Sequence, residues 1–80
     1  MVLRDQQWDH IRFEHLDMAR FEQLIMETVT HPDHREPDGR PDRERYFARG
    51  KGPSRWLRVV VDFSATPAEV VTAFGQDNDP

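Results

Sequence analysis

Residues 55–63, RWLRVVVDF, constrain the fold more than any other stretch of this chain. Leu57, Val59, Val61 and Phe63 fall on one side of an extended backbone, and Trp56, Arg58, Val60 and Asp62 on the other. That two-residue period predicts a strand with one face turned to a core. A lone strand leaves its backbone groups unpaired, so neighbours are required. RERYFAR (43–49) precedes it across the turn GKGPS, and EVVTAF (69–74) follows it across SATPA. Short connections between consecutive strands predict an antiparallel meander.

The first third of the chain has a helical period. Trp8, Ile11 and His15 follow i, i+3, i+7 spacing, which predicts a short helix over about residues 5–15. Asp17 is placed to cap the next helix, with Leu16 and Phe21 as its hydrophobic staple. Met18, Phe21, Leu24, Ile25 and Val29 then form one apolar stripe, and Thr30-His31-Pro32 ends it. HPDHREPDGRPDRER, punctuated by three prolines and a glycine, predicts a loop, with or without a short edge strand near His34–Glu36. The expected fold class is α+β, with two N-terminal helices packed on one face of a three- to four-stranded antiparallel sheet.

Eighty residues suffice for one small domain, here expected to span 1–80 with its core at about 8–75. Eight aromatic residues must supply much of that core. The chain has no cysteine, which excludes disulfides and thiolate metal sites. No apolar run approaches the roughly 20 residues of a membrane helix. MVLRDQQWDH lacks the apolar stretch of a signal peptide, so a cytoplasmic protein without membrane contact is expected.

Charge is unevenly distributed. Residues 1–34 carry −4, residues 35–58 carry +4 and residues 59–80 carry −4, for a net charge of −4. Seven of the eleven basic residues lie between positions 40 and 63: Arg40, Arg43, Arg45, Arg49, Lys51, Arg55 and Arg58. Alternation places Arg43, Arg45, Phe47 and Arg49 on one face, opposite Glu44, Tyr46 and Ala48. Arg58 and Thr72 fall on the same outer face if the last strands pair as a hairpin. Guanidinium forks bind phosphate bidentately and an aromatic ring stacks on a base, so this surface is suited to an anion. A solvated face, with Arg stems over apolar groups and their heads in water, is the bland alternative.

The histidines suggest no metal site. His10, His15, His31 and His34 fit no compact ligand spacing, and His10 and His15 stand five apart. His15, at the helix–helix corner, is the one that can exchange a proton near neutral pH beside the sheet. No phosphate loop, nucleophile elbow or cofactor motif accompanies it.

Taken together, WDHIRFEHLDM, THPDHRE, DRERYFAR, SRWLRVVVDF and EVVTAF resemble, in order and spacing, small phage- and mobile-element-associated proteins of the barnase–EndoU–colicin–RelE-like nuclease superfamily. The resemblance covers residues 8 to 75; Leu16 stands where the family usually has proline. It implies metal-independent RNA cleavage by a RelE-like toxin held by an acidic antitoxin, with RNA, including ribosome-bound mRNA or tRNA, as target and no cofactor. Carried over by position, it implies His15 as general acid/base, Arg45 and Tyr46 in the motif's strand, and Thr72 as a supporting donor. Arg43, Arg49, Lys51 and Arg58 are the expected phosphate binders, and His10 matches the motif's first histidine. The leading expectation is an endoribonuclease toxin domain. A non-catalytic module that uses the same Arg-rich face to bind RNA or an acidic protein is the alternative. Convergence of His15, Arg45 and Thr72 in one patch would favour cleavage, whereas dispersed arginines paired with Glu36, Asp38, Asp42 and Glu44 would favour a solvated face.

Overall fold

The structure, a computed structural model, describes residues 3–14, 22–50, 54–64 and 66–80. Two helices, α1 (Asp5–Glu14) and α2 (Glu22–Thr30), precede four strands, β1 (His34–Pro37), β2 (Arg43–Arg49), β3 (Trp56–Asp62) and β4 (Glu69–Gln76). The strands form one antiparallel sheet in the order β1-β2-β3-β4. It is a small α+β fold, and the short edge strand left open by the sequence is present. Asp17 and its staple partners Leu16 and Phe21 lie outside the described residues, as does Met18. Among the described residues no helix is long and apolar enough to cross a membrane.

The core follows the strand alternation. Tyr46 and Ala48 of β2, Leu57, Val59 and Val61 of β3, and Val70 and Ala73 of β4 form one buried cluster with Ile11 of α1 and Ile25 and Val29 of α2. Trp8, Leu24 and Met26 lie against it, partly buried. Thr28 is the one polar residue buried among the described residues, and its Oγ1 donates to the Leu24 carbonyl at 2.7 Å. That bond to the preceding turn satisfies the hydroxyl where no water reaches it.

Two turns fix how the strands meet. At the end of β2, Gly50 has φ +71° and donates its N–H to the Arg55 carbonyl at 2.9 Å, which closes the loop toward β3. Before β2, Asp42 adopts φ 62°, a left-handed conformation that Asp tolerates better than most residues. Its carbonyl accepts the Phe63 N–H at 2.6 Å. Asp33, between α2 and β1, grips the far end of β2: its N–H donates to the Phe47 carbonyl, and its carboxylate accepts the Arg49 N–H, both at 2.8 Å.

Strict alternation fails at two places. The register shifts between Val60 and Val61, so that Val60 faces Thr72 while Val61 faces Val70, and Val71 is the extra residue of a bulge. The bulge allows Val70 and Ala73, three positions apart, both to turn inward. Phe63, expected beside Leu57, Val59 and Val61 in the core, is instead 41% exposed. It lies beyond the end of β3 and, among the described residues, is not part of the core cluster.

Leu57 is fully buried at the centre of the cluster. Leu57→Ala should therefore lower unfolding stability by about 2–5 kcal/mol, read from the urea midpoint with an unchanged slope. Nothing lies within 4 Å of a Cβ built on Gly50. Gly50→Ala should consequently cost only the conformational term, about 1–2 kcal/mol, in the same measurement.

Candidate nucleic-acid interface

Pairing extends the outer face in rows across the sheet. Glu36, Arg45, Val60 and Thr72 form one row; His34, Phe47, Arg58 and Phe74 form the next. Arg49 and Trp56 with Gln76 lie at one end, and Arg43 with Asp62 and Glu69 at the other. Arg43, Arg45, Arg49, Arg58 and Thr72 thus share a face. With strands about 4.8 Å apart, Arg45 and Thr72 start about 10 Å from each other, with Val60 between them. Tyr46 points the other way and is buried with the core, 2% exposed. Burial pushes its phenol pKa up, although the Arg35 guanidinium, stacked 4.7 Å from the ring centre, opposes the shift. Arg45 and Tyr46 therefore do not act on one surface. His10 lies exposed on α1, while His15 and Lys51 lie outside the described residues.

The outer face has a small apolar floor of its own. Phe47 and Val60 are 1% and 5% exposed. The rings of His34 and Trp56 stand 5.5 and 6.3 Å from that of Phe47. Phe47, expected to stack on a base, is therefore unavailable for it: its neighbours on the sheet already cover the ring. Trp56 is the more accessible aromatic. Arg49 lies 5.8 Å over its ring, and its indole N–H donates to Asp79 at 3.2 Å. Arg58 lies 5.1 Å over Phe74.

Most of the arginine heads meet carboxylates. Arg35 pairs with Glu44, and Arg43 lies 3.6 Å from Asp62. Arg45 Nε donates to Asp38 Oδ1 at 2.7 Å, and its Nη1 lies 3.9 Å from Glu36. Arg58 Nη2 is 3.7 Å from that same Asp38 oxygen. Three of the four acids expected to neutralise a solvated face, Glu36, Asp38 and Glu44, are engaged. Asp62 takes the place of Asp42, and hairpin register, which sets it opposite Arg43, is the signal that would have found it. Arg45 and Arg58 are not dispersed, however: diagonal neighbours on adjacent strands, they converge on one oxygen. Among the described residues Arg49 makes no ion pair.

The electrostatics follow from this packing. The Arg45 hydrogen bond, helped by the Arg40 N–H, holds the Asp38 carboxyl below its ordinary value of 3.8. Asp62 is held low by Ser64, whose N–H donates to it at 2.8 Å. Burial lowers the pKa of Arg58, with the like charge of Arg45 adding to the effect. Arg58 remains charged at neutral pH all the same, because arginine titrates far above it. Among the described residues no group of three or more His, Asp or Glu side chains gathers as a metal site.

A carboxyl whose pKa is lower in the native state binds fewer protons there than in the unfolded chain, so its stabilisation is present above 3.8 and fades as pH falls through the folded value. Asp38→Asn should accordingly be less stable than the native chain at pH 6–7. The gap should narrow progressively below about pH 4, as followed by thermal unfolding across pH.

No family model matches this chain, and neither a curated protein nor a solved structure matches it significantly.

Proposed function

We propose that this protein is an RNA-binding domain whose outer sheet face, through Arg45, Arg49 and Arg58, holds the phosphate backbone of single-stranded RNA. One observation carries the reading: Arg45 and Arg58 project from neighbouring strands toward one anionic oxygen. Arg45 Nε donates to Asp38 Oδ1 at 2.7 Å and Arg58 Nη2 lies 3.7 Å from it, while Arg58 Nη1 donates to Gln76 Oε1 at 3.4 Å. Two guanidinium groups converging on a point have the geometry that recognises a phosphate. Arg49, lying over the accessible Trp56 ring, extends the cationic track, and the indole supplies a surface for a base. A merely solvated face would leave its heads apart, each with its own acid.

Cleavage is the second reading, favoured by Thr72 and Arg45 lying in one row of that face and by the resemblance to RelE- and barnase-like proteins. In it, His15 takes the proton of the ribose 2′-OH and the 2′-oxygen attacks phosphorus. The arginines stabilise the phosphorane charge, and the 5′-oxygen leaves with a proton returned by the imidazolium of His15, acting as general acid. The helices-on-sheet packing of that superfamily and a cytoplasmic toxin role belong to the same proposal. An acidic antitoxin would then cover the Arg face, since complementary charge steers such encounters.

The test is a binding and cleavage assay on RNA in excess chelator. Arg45→Ala and Arg58→Ala should each weaken oligoribonucleotide binding by roughly tenfold or more, as expected for a charged hydrogen bond worth about 1.5–3 kcal/mol. Cleavage that survives the chelator in the native chain and is lost in His15→Ala and Arg45→Ala establishes the nuclease reading. Binding without cleavage leaves the binding module. RNA affinity unaffected by both arginine variants overturns the proposal.

A further inference from the structure

Asp38 occupies the place a bound anion would take. It continues the outer-face parity of His34 and Glu36 past the end of β1, so its side chain reaches back over the sheet. Its Oδ1 accepts from Arg45 Nε at 2.7 Å and lies 3.7 Å from Arg58 Nη2. Its Oδ2 accepts the Arg40 N–H at 3.1 Å. The side chain is 11% exposed, while Gly39, Arg40, Pro41 and Asp42 beyond it all face solvent.

The fit between Asp38 and the two arginines is incomplete. Arg58 Nε is buried with no hydrogen-bond partner. A carboxylate offers two oxygens, and Asp38 spends one on its own loop. A phosphate offers more acceptor oxygens in a tetrahedral array, enough to meet donors of both guanidinium groups at once. Charge points the same way. Glu36 and Asp38 together cancel Arg45 and Arg58, so in the free protein this part of the face has little pull on a polyanion. Rotating Asp38 into solvent exposes the pair and leaves β1 and β2 in place, because the loop is closed by backbone, through the Asp38 N–H on the Arg43 carbonyl at 3.0 Å.

We propose that Arg45 and Arg58 form an oxyanion site for a phosphate group, and that the Asp38 carboxylate fills this site in the free protein as its built-in competitor. The proposal rests on the reading that this face takes RNA, and it names the atoms and the control. Any incoming phosphate must displace Asp38, so affinity is set by the difference between two anions rather than by the arginines alone. The shared chemistry is that of a phosphate oxyanion, whether free inorganic phosphate or the RNA backbone.

The test measures binding of an oligouridine and, separately, of inorganic phosphate to the native chain, Asp38→Asn and Asp38→Asn/Arg45→Ala. Asp38→Asn should bind oligouridine roughly ten- to hundredfold more tightly than native, the scale of one charged hydrogen bond. Its salt dependence should steepen by about 0.7 for each further phosphate that the freed arginines neutralise, and Arg45→Ala in the same chain should erase the gain. Thermal unfolding checks that the variant folds. Should Asp38→Asn fail to fold, Asp38→Ser, which keeps an acceptor for the Arg40 N–H, replaces it. If the native chain binds oligouridine through Arg45 and Arg58 and the variant binds no more tightly, the competitor role falls and RNA binding stands. If the variant gains affinity for inorganic phosphate only, the oxyanion site stands and the RNA reading falls. If neither chain binds either probe, both are overturned.

Discussion

The register between β2 and β3 is the constraint on which the other features rest. With Phe47 opposite Arg58 and Tyr46 opposite Val59, every side chain of the two central strands is assigned to a face. A slip of one residue would send Arg43, Arg45 and Arg49 against the apolar cluster and bring Tyr46 and Ala48 to the outside. Burying an unpaired guanidinium is far more costly than the pairing energy of any single bridge, so the hydrophobic and charged patterns enforce the same alignment. Gly50 and Asp33 hold that alignment at one end, while Asp42 links β2 to the residue after β3 at the other.

The two faces of the sheet solve different problems with the same strands. One buries aliphatic side chains with Ile11, Ile25 and Val29. The other buries Phe47 and Val60 among arginine stems, His34 and Trp56, while its charged heads stay near the surface. Long cationic side chains can shield apolar groups in this way because their methylene stems are themselves apolar. An acidic chain can thus keep a concentrated basic block with its self-repulsion partly offset: Glu36, Asp38 and Asp62 are interleaved with it.

The architecture was largely legible in the sequence because it rests on period. The Leu24, Ile25 and Val29 part of the α2 stripe and the two-residue alternation of β2 and β3 are local signals that the structure retains. Tyr46 and Arg45 on opposite faces follow from the same arithmetic. What was not legible depends on tertiary position. Phe63 carries the right parity for the core but lies past the strand's end. Phe47 reads as a ring among charges, yet it is buried, because only the assembled sheet sets His34 and Trp56 beside it. The bulge at Val71 has no local mark in a run of β-formers. The site was legible in part: Arg45, Arg58 and Thr72 were placed on one face by alternation, whereas the convergence of two arginines on Asp38 required the β1–β2 loop to fold back. His15 and Lys51 lie outside the described residues.

The brevity of β1 has a bearing on how the molecule behaves in company. An outer strand normally offers a row of unsatisfied amide and carbonyl groups to any extended chain that drifts past, which is how sheets join edge to edge. Here that row is four residues long and ends at Pro37, which has no N–H to offer. His34 and Arg35 on the same strand place titratable and charged side chains along the approach. The β1 side of the sheet is thereby a poor template for self-association.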